Sequence, residues 1–234
     1  MKLQKLYRYV RRAMDDYSMV DDGDKIAVGV SGGKDSLALL YALSGLRKFY
    51  PKKFDIVALT VNLGFKNQDF NLIKDFCKNL DVECKIIDTE IGDIVFHKRK
   101  ESNPCSLCAK MRKGSLNDVA KKMGCNKVAY AHHRDDMIET MLMSLIYEGR
   151  FHCFNPVTYL DRMGLNVIRP MMYVSEMDVI GFANKYNLPV AKNPCPVDGH
   201  TKREYIKTLV RQLNRENPNC KDRLFTAVLN GGFD

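Results

Sequence analysis

The stretch that decides the fold runs from Lys25 to Ser36 and reads KIAVGV followed by SGGKDS. Its first half, Lys25–Val30, is short, apolar and rich in β-branched residues, which predicts a buried strand. Its second half, Ser31–Ser36, places two glycines directly before a segment with helical spacing. A glycine turn between a strand and a helix lets the backbone approach a phosphate closely, because no Cβ intervenes. We therefore predict a phosphate-binding loop at the carboxyl end of the first strand.

The residues of this loop have chemistry that suits a polyphosphate. N–H groups at a helix N-terminus point at an anion, and the helix dipole favours negative charge there. The hydroxyl groups of Ser31 and Ser36 add donors. Lys34 adds a positive charge, and Asp35 can hold Mg²⁺ against the phosphates. The loop is not a Walker motif, because Val28 stands where that motif has its first glycine and Asp35 where it has Ser or Thr. An ordinary strand-to-helix turn is the alternative interpretation.

Strands and helices alternate along the rest of the chain, which implies parallel strands joined by right-handed crossovers. The fold predicted is α/β: a doubly wound five-stranded parallel sheet in the order 3-2-1-4-5, with N- and C-terminal helices. Besides 25–30, the predicted strands are 54–62, 83–88, 127–131 and 165–169. The predicted helices are 2–19, 35–49, 69–80, 110–123, 135–147, 175–186, 202–215 and one near the C-terminus.

Length and composition suit one substantial core, since the chain has 234 residues, 45% of them hydrophobic and 28% charged. We divide it into a basic N-terminal helix at 1–22, a nucleotide-binding domain at 23–190 with an inserted CxxC segment, and a C-terminal helical region at 191–234. No run of about eighteen apolar residues indicates a membrane span, and the N-terminus lacks the pattern of a secretory signal. We expect a cytoplasmic protein.

The formal net charge is +9, a large excess for this size. It favours a polyanionic partner, most simply nucleic acid. The alternative is that many of the lysines only solvate the surface.

A second polar segment, His132–Thr140, follows the fourth predicted strand and reads HHRDDMIET. In the order 3-2-1-4-5, strands one and four are neighbours and the order reverses between them. Ligands of open α/β sheets bind at such a crevice. The phosphate loop and this segment are therefore expected side by side. Asp135 and Asp136 open a helix, so one of them can instead be a cap.

Two cysteines, Cys105 and Cys108, form a CxxC pair that can reach one ion or cluster. A third candidate is Cys195, held extended between two prolines. Three cysteines suit a [4Fe-4S] cluster with one open iron, whereas His200 or Asp198 as a fourth ligand suits zinc or a closed site. A redox dithiol that leaves Cys195 unrelated is a further interpretation. Spacing alone favours zinc.

The motif SGGKDS resembles that of the PP-loop family, and His133, Asp136, Glu139 and Thr140 match the family's H-x-x-D-D-x-x-E-T stretch. This resemblance implies an adenine-nucleotide α-hydrolase-like fold whose loop grips the β,γ-pyrophosphate of ATP. Such enzymes adenylate a carbonyl or carboxyl oxygen and then let nitrogen or sulfur displace AMP. The second stretch is implied to place nucleotide or substrate.

The order SGGKDS, CSLCAKMRKGSL, AHHRDDMIET, VIRPM and NPC is similar to the tRNA-cytidine(32) 2-sulfurtransferase family over nearly the whole chain. The resemblance implies that Cys105, Cys108 and Cys195 ligate a [4Fe-4S] cluster whose open iron binds the sulfur to be transferred. Arg112, Lys113 and Gly114 match the family's basic stretch after the CxxC pair, and Arg203 matches a basic residue beyond the third cysteine. The resemblance implies contacts to AMP or RNA there, and plain surface charge is the alternative. The chain departs from some members at Asp198, where they have another cysteine.

The resulting prediction is ATP-dependent tRNA thiolation at a pyrimidine C2 oxygen. Predicted cofactors are ATP, Mg²⁺ and the cluster; predicted partners are tRNA and a sulfur donor, either a desulfurase persulfide or sulfide, and a homodimer stays open. We predict Lys34, Asp35 and Asp136 as catalytic residues. The nucleotide-binding residues are predicted to be Ser31, Gly32, Gly33, Lys34, Asp35, Ser36, Asn62, His132 and Asp135.

Three rival functions are weighed against this prediction. The first is the same chemistry on another tRNA base or on a small molecule. The second is a zinc-binding PP-loop ligase that does not thiolate. The third is a zinc-stabilised RNA-binding module without catalysis.

Overall fold

The sheet that organises the molecule has six strands, in the order β3-β2-β1-β4-β6-β5, among the residues that the computed structural model describes. Those residues are 1–65, 69–99, 104–191, 195 and 202–231. Each neighbouring pair is parallel except β5 and β6, which are antiparallel. The strands are β1 Asp24–Gly29, β2 Phe54–Asn62, β3 Glu83–Asp88, β4 Lys127–Ala129, β5 Val157–Leu160 and β6 Leu165–Ile168.

Helices cover both faces of this sheet. They are α1 Leu3–Asp16, α2 Lys34–Leu46, α3 Asn71–Asn79, α4 Ile91–Asp93, which continues as a π-helical turn at Ile94–Lys98, α5 Pro104–Lys122, α6 Arg134–Glu148, α7 Glu176–Lys185, α8 Lys202–Glu216 and α9 Cys220–Asn230. Within the described ranges, none of the helices combines the length and the apolar character needed to cross a membrane.

Strand β1 is buried on both faces, as a central parallel strand requires. Ile26 and Val28 point into the larger core, together with side chains of α2, whereas Ala27 points into a second core with Leu116 of α5. Ile26, Ala27 and Val28 have no exposed surface. The alternation of side chains along one strand therefore joins two helical layers to a single sheet.

The terminal helices pack on the same large core as the sheet. Leu6 and Val10 of α1 and Ile206 and Phe225 of α8 and α9 belong to that core. The apolar spacing read along residues 2–19 thus corresponds to a helix with one buried face.

The predicted strand order is confirmed, but the prediction of five strands was short by one. Strand β5 pairs only with β6, through a tight turn that ends at Gly164, whose φ is +63°. A four-residue edge strand with mixed burial has little periodic signal, so the sequence between residues 148 and 164 was interpreted as irregular.

The region before the CxxC pair is also more helical than predicted. Ile91–Lys98 forms helical turns, and α5 begins at Pro104, six residues earlier than expected. Proline is favoured at the first helical position, where its missing N–H costs nothing. Cys105 and Cys108 therefore lie in the first turn of a helix and share one face of it.

Candidate active site

The phosphate loop lies between β1 and α2, at the carboxyl edge of the sheet. Gly33 precedes the helix with extended dihedral angles, and Gly32 has a φ of +81°. A Cβ on Gly32 would stand 3.2 Å from the Cβ of Ala191, whose N–H donates to Gly32 O at 3.0 Å. The loop thus needs glycine at position 32 both for its backbone conformation and for the close approach of Ala191.

The two serines of the loop brace its backbone. Ser36 Oγ donates to Gly33 O at 2.9 Å and accepts from Ser31 N at 3.1 Å. Gly33 N donates to Ser31 Oγ at 3.3 Å. These short-range bonds hold the turn in one shape, so little ordering remains to be done when a phosphate binds.

The ammonium group of Lys34 lies between two carboxylates. Its Nζ is 3.1 Å from Asp35 Oδ2 and 3.4 Å from Glu176 Oε1. Partial burial lowers the pKa of Lys34, but the charges of Asp35 and Glu176 outweigh burial, and the net pKa is raised. Lys207 Nζ lies 2.5 Å from the same Glu176 oxygen. Lys34 is therefore charged, and Lys207 is a second cation that pairs with Glu176.

Asp35 faces the first turn of α6. His133 caps that helix through a capping box, in which His133 Nδ1 accepts from Asp136 N at 3.2 Å and Asp136 Oδ2 accepts from His133 N at 2.9 Å. Because Nδ1 accepts, the proton of a neutral His133 is on Nε2, which lies 3.7 Å from Asp35 Oδ1. The capping box thus orients His133 toward the phosphate loop.

A cavity of about 410 Å³ opens where β1 and β4 lie side by side. The predicted residues that line it are Ser31, Gly33, Asp35, Ser36, His132 and Asp136. Further residues line the wall: Thr60, Val61, Leu63 and Phe70 on the β2 side, and Tyr130, Ala131 and Ala191 on the other side, together with Arg112, for which the family resemblance implies a contact to AMP or RNA. The structure therefore brings together the two polar segments that are about a hundred residues apart in the sequence.

Counting only the residues that the structure describes, three buried polar atoms of this wall have no hydrogen-bond partner: Asp35 Oδ1, Thr60 Oγ1 and His132 Nδ1. Buried polar groups of native proteins are normally paired. Their convergence on one cavity marks it as a place where a ligand completes the hydrogen bonding.

Four of the predicted residues lie beside the cavity rather than in its wall. Gly32 shapes the loop, and Lys34 is directed toward Glu176. Asn62 shapes the turn after β2, since its Nδ2 donates to Asp88 Oδ1 at 2.9 Å and its Oδ1 accepts from Gly64 N at 3.0 Å.

Asp135, the fourth, is buried behind the cavity. Its Oδ2 accepts from Glu176 N at 2.8 Å, at the start of α7, and its Oδ1 lies 2.7 Å from Lys221 Nζ. Burial alone would raise the pKa of Asp135, but these partners lower it below its ordinary value. The described contacts give Asp135 the task of joining α6 to α7 and α9.

The remaining acids of α6 meet an arginine from α8. Arg203 donates to Glu139 Oε2 at 3.2 Å and to Thr140 Oγ1 at 3.1 Å, and it lies 3.7 Å from Asp136 Oδ1. Burial, and next the charge of Asp136, raise the pKa of Glu139. Arg203 thus balances the charges of Asp136 and Glu139 on α6.

The three predicted cysteine ligands share one neighbourhood. Cys105 and Cys108 lie on α5, where Cys105 is exposed and Cys108 half-buried; Cys195 is also half-buried. Burial raises the pKa of Cys108, Arg112 lowers it, and the charges of Cys195 and Cys105 raise it. The described residues contain no group of three His, Cys, Asp or Glu side chains already spaced to hold a metal ion. Asp198 and His200, the alternative fourth ligands, lie outside the described residues.

Sequence reasoning missed three residues that organise the site: Glu176, Lys207 and Lys221. The Ser-Glu pair at 175–176 has the pattern of a helix start, and Ser175 does accept from Asp178 N at 3.1 Å. Nothing in the sequence brings Glu176 to Lys34, however, because 142 residues separate them. Only the packing of α7 and α8 on the sheet creates these contacts.

Comparisons with known proteins agree with this geometry. A family model described as a PP-loop domain matches residues 3–213. Fold and phosphate loop together thus define an ATP-using PP-loop protein.

Sequence relatives narrow the class. Proteins named tRNA-cytidine(32) 2-sulfurtransferase are 37% identical in Geobacter sulfurreducens and 38% identical in Geobacter metallireducens. Each alignment covers 98% of this chain, and 91% and 90% of the respective relative. The chain belongs to this family of PP-loop enzymes.

Solved structures share the fold. The U34-tRNA thiolase of Methanococcus maripaludis, solved with its [4Fe-4S] cluster, superposes with a TM-score of 0.80 at 25% identity. The superposition covers 97% of this chain and 77% of the thiolase. An ammonia-dependent NAD synthetase of Campylobacter jejuni, at 19% identity, a TM-score of 0.52, and coverage of 98% and 93%, has the same fold.

Proposed function

We propose that this protein is an ATP-dependent tRNA sulfurtransferase that converts a cytidine to 2-thiocytidine. One observation carries the proposal: the cavity behind the phosphate loop is lined by Arg112, whose charge acts on Cys108, one helical turn away on α5. Arg112 therefore connects the proposed ATP site to the proposed thiol centre. Relatives that are 35–38% identical have the corresponding name.

The first half-reaction is adenylation. The C2 oxygen of the base attacks the α-phosphorus of ATP, and pyrophosphate leaves. The N–H groups at the start of α2 and the ammonium group of Lys34 stabilise the leaving group through fixed dipoles and charge. Asp35 Oδ1, which has no hydrogen-bond partner among the described residues, would hold a Mg²⁺ ion, and that ion would supply positive charge beside the phosphates.

The second half-reaction replaces oxygen by sulfur at C2, and AMP leaves with the former C2 oxygen. Two thiols on one face of α5 and a third from Cys195, whose charge acts on Cys108, fit a [4Fe-4S] cluster with one iron free of protein ligands. When bound, this cluster supplies the sulfur. Cys105, Cys108 and Cys195 would hold it, and Arg112 would offset negative charge there.

The acceptor side of the cavity is held by α6. The capping box fixes Asp136 at the cavity wall, and Arg203 lies 3.7 Å from its second oxygen. We assign Asp136 to the placement of the substrate, together with His132 on the adjoining strand end. The net charge of +9 supports binding of tRNA, and the donor of sulfur would be sulfide or a desulfurase persulfide in the cytoplasm.

The test is direct. The protein is purified without oxygen, and its iron, sulfide and zinc are measured. It is then incubated with tRNA, ATP, Mg²⁺ and sulfide, and 2-thiocytidine and pyrophosphate are quantified. We expect about four irons per chain and thiolation that depends on ATP.

Matched cysteine variants complete this test. Cys108→Ser and Cys195→Ser should abolish thiolation, whereas Cys220→Ser, a half-buried cysteine outside the predicted centre, should retain it. One zinc ion without iron, together with ATP-to-AMP turnover that leaves tRNA unthiolated, would support the ligase interpretation instead.

A further inference from the structure

Arg169 is a buried cation that no acid neutralises within the described part of the chain. It follows β6 directly and is 7% exposed. Its guanidinium group donates to the carbonyl oxygen of Asn155 and to Thr158 Oγ1, while its Nε is buried and has no hydrogen-bond partner among the same residues. Burial lowers the pKa of Arg169 to about 10, so the group is still charged at neutral pH. A buried charge without a counter-ion is costly, which marks this place for an anion.

Other groups around Arg169 add to the excess of positive charge at this place. Lys113 of α5 is an exposed side chain, and its pKa is lowered first by partial desolvation and then by the positive charges of Arg169 and Arg112. The groups whose charges act on Arg169 are Cys153 and Tyr130, with pKa values raised to about 11 and about 12 by burial, so both are neutral. Among the described residues, the ion pairs of the active site involve neither Lys113 nor Arg169.

Aromatic rings lie against these cations. The rings of His132 and Phe154 are 4.6 Å apart at 33°, and Tyr130 lies 6.0 Å from His132. The guanidinium carbon of Arg169 is 4.9 Å from the centre of the Phe154 ring. Tyr130 and His132 line the same cavity as the phosphate loop. Burial lowers the pKa of His132 well below its ordinary value, so this ring is neutral and can stack.

A ring stack beside unpaired cations has the chemistry that binds a nucleotide, since the base stacks and the phosphate pairs. A small inorganic anion would be bound by the cations alone and would make no use of the aromatic rings. Two nucleotides meet in this cavity, ATP and the acceptor. The attacking oxygen and the leaving pyrophosphate lie roughly in line through the α-phosphorus. The two nucleotides therefore approach from different sides.

The two sides of the cavity differ in character. The side formed by β2 presents Val61, Leu63 and Phe70, which are apolar and suit adenine. The side formed by β4 presents the rings of Tyr130 and His132 together with Arg112 of α5, while Phe154 packs on His132 and Arg169 packs on Phe154. This contrast assigns the cationic side to the acceptor.

We propose that Lys113 and Arg169, with the rings of His132 and Phe154, form the subsite for the RNA nucleotide that is thiolated. The rings stack its base, and the cations bind its phosphodiester. This inference rests on the proposed function, because a base must leave its stack to reach the cavity.

The experiment uses the full-length protein, reconstituted without oxygen, and a fluorescently labelled anticodon stem-loop. One version of the RNA is native. The other has a neutral methylphosphonate in place of the phosphodiester on the 5′ side of the target cytidine. Binding is followed by fluorescence anisotropy between about 50 and 200 mM salt. Lys113→Met is compared with Lys121→Met, an exposed lysine of the same helix.

We expect Lys113→Met to weaken binding of the native RNA about tenfold and to lower the slope of log K against log salt by about one. The neutral linkage should bring wild type and Lys113→Met to the same affinity, and Lys121→Met should bind like wild type. Phe154→Leu should weaken both RNAs equally, with the melting temperature followed as a check on folding. Affinity for a fluorescent ATP analogue should not change with Lys113→Met.

Three results would overturn this subsite. Equal losses in Lys113→Met and Lys121→Met would indicate general surface charge. A loss of ATP affinity in Lys113→Met would assign the cations to the adenylate. Unchanged RNA binding would indicate that Lys113 and Arg169 instead balance the negative charge of the thiol centre. The wild type of the same preparation is also assayed for thiolation of tRNA. If it thiolates tRNA, none of these three results counts against the proposed function.

Discussion

At the scale of single residues, Lys34 already forms ion pairs with two carboxylates in the absence of ATP. Glu176 binds both Lys34 and Lys207, and the shorter contact, 2.5 Å, is to Lys207. Removing Lys207 leaves Lys34 as the nearest cation for the Glu176 carboxylate. An incoming phosphate must then compete with that carboxylate for Lys34. Lys207 thus acts on the predicted phosphate site through Glu176 and Lys34, which makes it a positioning residue.

We predict that Lys207→Met raises the KM for ATP about five- to tenfold, about 1 to 1.4 kcal/mol, while kcat changes less. Lys207→Arg should restore most of the affinity. Arg211→Met, an exposed residue one turn further along α8, is the control and should behave like wild type. Pyrophosphate release at varied ATP measures both constants. An unchanged KM in Lys207→Met would show that Glu176 does not compete for Lys34.

Gly32 gives a second prediction at this scale. Alanine there must adopt a φ of +81° and bring its Cβ to 3.2 Å from Ala191. We expect Gly32→Ala to lower the free energy of unfolding by about 1–2 kcal/mol and to abolish measurable ATP binding.

A second glycine provides the control for this prediction. Gly114 lies inside α5 with open space around its Cβ position, so Gly114→Ala should raise stability by about 0.5–1 kcal/mol. Urea unfolding compares the two variants. Equal effects in both would mean that the phosphate loop has no special need for glycine.

At the scale of helices and strands, α6 is the element on which the site depends. Its N-terminus places His133 and Asp136 at the cavity, and Asp135 ties it to α7 and α9. The pKa of Asp135 is lowered in the folded state, so its stabilising effect is complete above about pH 4, the range of an unfolded aspartate. That effect is lost as the pH falls through the lower folded pKa.

We predict that Asp135→Asn lowers the free energy of unfolding by about 1–3 kcal/mol at neutral pH, because it leaves buried partners unpaired. The difference from wild type should shrink as the pH falls from about 4 toward the lower pKa of folded Asp135, below which the wild-type carboxyl group is protonated. Asp222→Asn removes a more exposed ion pair with Arg134 and should cost less than about 0.5 kcal/mol. Urea titrations at several pH values test this; a difference that is independent of pH would exclude the carboxylate as its cause.

Some helices and strands could be predicted from the sequence better than others. The starts of α2 and α6 could be predicted because polar residues follow apolar strand segments in both places. The start of α5 could not, because its first turn contains cysteines and a proline rather than an apolar period. Strand β5 has four residues and pairs only at the sheet edge, so its existence depends on β6 and not on its own sequence.

At the scale of the whole molecule, the ATP cavity and the thiol centre lie on different elements. The cavity is built mainly from strand ends, α2 and α6, with Arg112 of α5 and Ala191 also in its wall, whereas the predicted cysteine ligands lie on α5 and at position 195. We predict that removing iron by an anaerobic chelator abolishes thiolation but changes the Kd for ATP less than about twofold. Reconstitution with iron and sulfide should restore thiolation. Loss of ATP binding on chelation would indicate one inseparable site.

Topology determined which parts of the site the sequence could predict. The strand order follows from alternation and handedness, and it alone places Ser31–Ser36 beside His132 and Asp136. The contacts of Glu176, Lys207 and Arg203 depend on how α7 and α8 pack on the sheet, which no local pattern specifies. Asn62 was predicted from its place at the end of β2, but the direction of its side chain is decided by Asp88 on β3.

The hydrogen bond from Ala191 to Gly32 brings the phosphate loop close in sequence to the predicted third thiol. Ala191 lies four positions before Cys195 and is bound to the turn that we predict to hold pyrophosphate. By thermodynamic reciprocity, the factor by which nucleotide changes the affinity of the sulfur centre equals the factor by which the sulfur centre changes the affinity for nucleotide. Since we expect cluster removal to change the Kd for ATP less than about twofold, we expect nucleotide to change the affinity for the cluster less than about twofold as well.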